Sequence, residues 1–184
     1  MKLCILSDSH DNRRLLDHAV EDAKARGAEV VLHCGDVVAP TTLRVLQKHG
    51  LPVHVIHGNN MGDTYSLGKL GGEPSSVVQY HGQDAALEFV GKKIFMVHYP
   101  HYARALATTG EWDVVCCGHD HRSEMRWVKN IQDGQTLLIN PGTVGGVGSP
   151  PTYILGDLIS MEFAVLNVPS EPGEICNMPR VSPH

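Results

Sequence analysis

The sequence predicts an α/β fold in which two sheets pack face to face with helices outside them. Three observations point there. The first third of the chain alternates short apolar runs with helical periodicity, the rhythm of a parallel sheet with right-handed crossovers. The remainder is rich in strand-like runs with one helix among them. At 184 residues and 42% hydrophobic, the chain suits one domain able to bury a substantial core.

Leu3–Leu6 is a short apolar run of the buried-strand type. Asp11-Asn12 can cap a helix whose apolar face is Leu15, Leu16, Ala19, Val20 and Ala23, ending near Gly27. Val30–Leu32 is the second strand, Thr41/Thr42 to His49 a second helix closed by Gly50, and Val53–Ile56 the third strand. Val77–Tyr80 and Ala86–Val90 read as strands separated by a His81-Gly82-Gln83-Asp84 turn. Lys93–Val97, Val114–Cys117, Met125–Val128, Thr136–Ile139, Tyr153–Leu155 and Met161–Leu166 follow, and Ala103–Ala107 is the one helix expected among them. Residues 1–168 are expected to form a single domain. The Pro-rich, aperiodic stretch 169–184 reads as an irregular tail.

No apolar run approaches the roughly 18–20 residues of a membrane span. The N-terminal apolar run is too short for a signal-peptide core of about 7–15 residues. A cytoplasmic protein is expected. Cys4, Cys34, Cys116 and Cys117 all lie in apolar runs and read as reduced, buried thiols, while Cys176 falls in the tail. A formal charge of −5 argues against a long polyanion such as nucleic acid as the main partner. The 12 histidines are the more informative excess, because imidazole is a metal ligand.

Position gives those histidines meaning. Five apolar runs each end in polar residues able to bind metal: Asp8-Ser9-His10, Gly35-Asp36, Gly58-Asn59, His98, and Gly118-His119-Asp120-His121. In open α/β sheets ligands gather beyond the carboxyl ends of the strands, so these segments should deliver their side chains to one crevice. Two imidazoles at i and i+2 around a tight turn can face two adjacent cations. Oxygen and imidazole ligands without thiolate fit Mn²⁺, Fe, Zn²⁺, Ni²⁺ or Co²⁺.

The ordered segments Ile5-Leu6-Ser7-Asp8-Ser9-His10, His33-Cys34-Gly35-Asp36, Gly58-Asn59-Asn60, Val97-His98, Gly118-His119-Asp120-His121 and Ile139-Asn140-Pro141-Gly142-Thr143 span Met1 to about Leu166. Together they closely resemble the calcineurin-like metallophosphoesterase superfamily, and within it the small bacterial and archaeal phosphodiesterase branch. The resemblance implies a four-layer α-β-β-α sandwich with a dinuclear metal site between its sheets. By position, Asp8, His10, Asp36 and His121 would hold one ion, and Asp36, Asn59, His98 and His119 the other. Asp36 would then be the bridging, catalytic carboxylate, Asn140 a support of the ligands, and two divalent ions the cofactor, with Mn²⁺ expected first. Such a pair, roughly 3.5–4 Å apart, acidifies water and neutralises phosphoryl oxygens, which implies hydrolysis of a phosphoester small molecule, a diester in this branch.

Two departures stand out. Many members carry a histidine after Gly-Asn that can protonate the leaving group, where this chain has Asn60, which cannot serve as an acid. Relatives often read His-Gly-His at the fourth motif, where this chain has His98-Tyr99-Pro100-His101, so His101 is a candidate catalytic acid or substrate contact. Met61-Gly62-Asp63 can reshape the pocket rim, and Arg13, Arg14 and Arg122 flank the ligand motifs. A phosphomonoesterase or cyclic-nucleotide phosphodiesterase would use the same ligands. A protein-interaction scaffold on this fold, as in a eukaryotic trafficking subunit, would show substituted ligands, and all seven positions here hold competent ones. Homo-oligomers through exposed strand edges are compatible with the sequence.

Overall fold

Strand β1 (Lys2–Leu6) sends Leu3 and Ile5 into one core and Cys4 and Leu6 into another, as the two-residue period of a strand requires. Helix α1 (Arg13–Ala25) follows, with Asn12 as its N-cap. The Asn12 side chain accepts from the Leu15 amide at 3.2 Å, an arrangement typically worth about 1 kcal/mol. Strand β2 (Ala28–His33) returns parallel to β1. The expected second helix is present over Pro40–His49 but is a 3-10 helix, with Gly50 at its C-cap in the left-handed region, φ 67°. Strand β3 (Val53–Val55) continues the parallel order.

Helix α2 (Thr64–Gly72) was not expected from the sequence. Gly68, Gly71 and Gly72 weaken its helical signal, and Asp63, whose side chain accepts from the Ser66 amide at 2.9 Å, is the local clue to it. Strand β4 (Val78–Tyr80) then closes one edge of the first sheet, parallel to β3.

The turn at His81–Asp84 carries the chain across to the second sheet, where β5 (Asp84–Phe89) pairs antiparallel with β6 (Lys92–Val97). Helix α3 (Pro100–Ala107) starts with proline in its first turn, where a missing N–H costs nothing. Strands β7 (Val114–Cys116), β8 (Ser123–Lys129) and β9 (Gln135–Pro141) complete this sheet in the order β5-β6-β7-β9-β8. Strands β10 (Thr152–Asp157) and β11 (Glu162–Asn167) return to the first, giving β11-β10-β1-β2-β3-β4.

Three hydrophobic clusters bond the layers. Leu3, Ile5, Val30, Leu32 and Ile56 of the first sheet meet Ile94, Met96, Val114, Leu137 and Ile139 of the second. On the outer face of the first sheet, Cys4, Leu6, Val31 and Val55 meet Leu16, Val20, Leu43, Leu46 and Leu67 of the helices. On the outer face of the second, Val97, Val115 and Leu138 meet Ala103 and Ala107 of α3. The fold is thus the four-layer α-β-β-α sandwich of two mixed sheets flanked by helices. Cys4, Cys34, Cys116 and Cys117 are free and buried.

This computed structural model describes residues 1–171. Pro169 and Ser170 lie back on α1, their carbonyls accepting from His18 Nδ1 at 3.0 Å and Arg14 at 3.1 Å. Cys176 and the rest of the expected tail lie outside the described residues. No helix among the described residues is long and apolar enough to cross a membrane.

Candidate metal centre

Because β1, β2 and β3 are parallel, their C-terminal ends share one edge of the first sheet, and the loops there carry Asp8 and His10, Asp36, and Asn59. Strands β6 and β7 are likewise parallel in the second sheet, and His98, His119 and His121 follow them. The structure brings all seven positions together. One ligand atom from each of Asp8, His10 and His121 lies within 4.8 Å of the others, and the same holds for Asp8, Asp36 and His98. Asn59 Oδ1 is 3.1 Å from His98 Nε2 and 2.8 Å from His119 Nδ1.

The backbone makes this convergence possible. Asp8, His10, Asp36, His119 and His121, five of the seven, sit in the left-handed region at φ of 54°, 42°, 54°, 76° and 59°. Such angles are uncommon for residues with a Cβ and concentrate at functional sites. Two glycines supply room: a Cβ on Gly58 would collide with Asp36 Oδ1 and His98 Nε2, and one on Gly118 with Ser7 Oγ and Asp8 Oδ2. Their place before Asn59 and His119 therefore reflects close approach as well as turn chemistry.

The polar bookkeeping fits a cation. His98 Nδ1 donates to the Cys34 carbonyl at 2.8 Å and His121 Nδ1 to that of Val147 at 2.7 Å. With Nδ1 as the donor, each ring leaves its Nε2 facing inward, the atom a metal ligand would use. His98 Nε2 meets Asp36 Oδ1 at 3.4 Å, and His121 Nε2 meets Asp8 Oδ1 at 3.3 Å and His10 Nε2 at 3.2 Å. Imidazole nitrogens and carboxylate oxygens crowded this closely call for a positive charge among them. Asp8 Oδ1 is fully buried and makes no hydrogen bond, a costly arrangement for a carboxylate oxygen without a cation. Burial pushes the Asp8 carboxyl above its ordinary range, while its Oδ2 accepts from the His119 amide at 3.0 Å.

Supporting groups surround this cluster. Asn140 Nδ2 donates to the Gly118 carbonyl at 3.0 Å and to Asp120 Oδ1 at 2.7 Å, bracing the turn that carries His119 and His121. Thr143 Oγ1 donates to the Asp8 carbonyl at 2.8 Å. His33 contacts Ser9 Oγ through Nε2 at 3.0 Å and accepts the Gly35 amide at 3.3 Å, and burial pushes its pKa down to about 3, so it stays neutral. Asn60 holds Asp36 by both oxygens, its amide N–H reaching Oδ1 at 2.9 Å and its Nδ2 reaching Oδ2 at 2.6 Å. That role was not visible in the sequence.

His101 lies in the first turn of α3 and is exposed. Its ring meets Tyr102 at 4.1 Å and Tyr99 at 5.5 Å, and Tyr99 in turn meets His98 at 5.4 Å and His119 at 4.9 Å. Among these ring contacts, Tyr99 is the link between His101 and the cluster. Arg13 and Arg14 turn elsewhere, to Thr41 Oγ1 at 2.6 Å and the Ser170 carbonyl at 3.1 Å.

Sandwich, converging loops and ligand chemistry together define a metal-dependent phosphoester hydrolase. A family model, the calcineurin-like phosphoesterase superfamily domain, matches residues 1–161, and the chain belongs to that superfamily. Membership implies divalent metal ions, in keeping with the Asp and His groups described. A phosphodiesterase of Methanocaldococcus jannaschii is 28% identical over 164 residues, covering 84% of this chain and 92% of that protein. A structure of a novel archaeal phosphodiesterase superposes with a TM-score of 0.79 at 25% identity, over 91% of this chain and 99% of that one. Vacuolar protein sorting 29 from Cryptosporidium parvum shares the fold at a TM-score of 0.64 and 18% identity, with 92% of each chain covered.

Proposed function

We propose that the protein hydrolyses phosphodiesters at two divalent ions, Mn²⁺ first among them, held by Asp8, His10, Asp36, Asn59, His98, His119 and His121. The observation that carries this reading is the inward convergence of the His10, His98 and His121 Nε2 atoms on Asp8 Oδ1 and Asp36. Bound there, two such ions supply Lewis acidity and acidified water at neutral pH. The protein's own part is geometric. The Cys34 and Val147 carbonyls fix the tautomers of His98 and His121, Asn60 fixes the rotamer of Asp36, and Asn140 fixes the His119–His121 turn.

Charge supports diesters over monoesters. The carboxylates of the two ligand groups are Asp8 and Asp36, so two divalent ions leave a surplus of about two positive charges, or about one once a hydroxide is counted. A diester monoanion balances that remainder, and a monoester dianion exceeds it. The leaving-group proton has no histidine at position 60 to supply it. His101 stays a candidate for that task only for leaving groups long enough to extend past Tyr99. The four free, buried thiols among the described residues are compatible with a cytoplasmic setting.

The test is chelation. Metal-free protein should lose turnover of bis(para-nitrophenyl) phosphate, and Mn²⁺ should restore it with a kcat/KM at least tenfold above that for para-nitrophenyl phosphate, the scale of one mismatched charge. Undiminished turnover without metal refutes the mechanism, and a monoester preference refutes the substrate class.

A further inference from the structure

Beside the cluster lies a cleft of about 300 Å³ lined by His57, Gly58, Asn59, Met61, Gln83, Val97, His98 and Tyr99. Two of these, Asn59 and His98, belong to the proposed ligands, so a group seated in the cleft would adjoin a phosphorus held at the ions. Its lining contains no Asp, Glu, Lys or Arg. The lining side chains thus offer a charged substituent no ion-pair partner of their own.

Two walls are rings already held in place. Tyr99 packs edge-on to His98 and His119 at interplanar angles of 68° and 66°. His57 is tied by Nδ1 to the Tyr80 hydroxyl at 2.6 Å and by its amide N–H to the Gly82 carbonyl at 2.8 Å. Preset rings bind a flat partner without first losing rotamer freedom. Met61, 51% exposed, stands at the rim with a thioether suited to aromatic contact. Its loop is pinned at Gly62, whose φ of 59° and whose approach to the Val38 carbonyl leave no space for a Cβ. Gln83 adds an exposed amide, donor and acceptor at once, where the edge of a polar ring would arrive.

We propose that this cleft seats an uncharged aromatic arm of the diester, with Tyr99 and Met61 gripping its faces and Gln83 reading its edge, so that nucleoside and other aryl diesters are preferred over alkyl ones. The proposal rests on the phosphodiesterase reading and deepens it. A 300 Å³ cleft sits at the small end of ligand pockets, enough for one ring system and too small for an extended strand of nucleic acid.

The experiment compares monoanions of equal charge whose arms are joined to phosphorus through carbon and so resist hydrolysis, by calorimetry on Mn²⁺-loaded protein: methylphosphinates bearing phenyl, ethyl and 5′-deoxythymidin-5′-yl arms. Phenyl should bind about tenfold tighter than ethyl, the scale of one aromatic contact. Thymidine should exceed phenyl where Gln83 reads the base edge, and Gln83→Ala should remove that excess alone. In Tyr99→Ala, and in Met61→Ala at the exposed rim where folding is not at risk, the phenyl-to-ethyl ratio should fall toward one. Equal affinity of phenyl and ethyl in the wild type overturns the proposal, as does a ratio that survives both variants. Failure of all three monoanions to bind the loaded protein overturns the diester reading and this proposal with it, whereas equal binding of all three overturns the cleft alone.

Discussion

Asn60 acts as a clamp on Asp36. Where related sequences often carry histidine, this residue spends both its amides on Asp36, at 2.9 and 2.6 Å. Outer partners of this kind typically change metal affinity about 10–100-fold. Asn60→Ala should weaken Mn²⁺ binding by that order in equilibrium dialysis while barely moving the thermal midpoint, because Asn60 is exposed. Unchanged affinity would show the clamp to be idle. The identities of the clustered residues were legible in the chain, because each follows an apolar run that becomes a strand. Their conformation was not. Left-handed φ at Asp8, His10, Asp36, His119 and His121 leaves only a weak mark in residue type, since aspartate and histidine tolerate such angles better than most residues yet adopt them only in a minority of cases. Tyr99 and His57 also went unread as walls of a cleft. Only the approach of β6 to the loop after β3 makes them neighbours.

At the scale of elements, the strands were legible from apolar runs and the helices only where glycine is scarce. Helix α2 shows the difference. A Cβ on Gly68 would meet nothing within 4 Å, and its φ lies outside the left-handed region. Gly68→Ala should therefore stabilise the protein by about 0.5–1 kcal/mol in urea unfolding, and destabilisation would mean that α2 packs differently. Gly71, whose Cβ would come within 3.0 Å of the Tyr80 amide, should not share the benefit. Strand β3 offers a pH counterpart. His54 is buried, its Nδ1 sharing a hydrogen bond of 2.9 Å with His81 Nε2, and its ring lies edge-on to Phe89 of β5. Burial, reinforced by His81, pushes its pKa down from 6.5 to about 4. Between those values the unfolded chain binds a proton that the folded one does not. The contribution of a neutral His54 is therefore complete above pH 6.5 and is lost as the pH falls toward 4, at about 1.4 kcal/mol per pH unit. His54→Gln should flatten the stability profile in that window by about this slope, and an unaltered profile would assign the acid sensitivity to other histidines.

Over the whole molecule, four of the proposed ligands belong to one sheet and three to the other. Divalent ions would therefore fasten the sandwich across its open end as well as serve chemistry. At a free Mn²⁺ concentration about a hundredfold above Kd, linkage predicts roughly 2.7 kcal/mol of added stability, about 5–10 °C in thermal midpoint for a domain of this size. Calorimetric scans with Mn²⁺ and with chelator should differ by that amount, and coincident midpoints would deny any cross-sheet tie. The same edge shows a tension between persistence and work. Glycine at any of the five left-handed positions would relax the backbone, and every such replacement would remove a proposed ligand. Selection for abundance and selection for turnover therefore pull the same five codons in opposite directions. A lineage freed from catalysis would drift toward glycine at these turns, keeping the sandwich while its metal-binding side chains disappear one codon at a time.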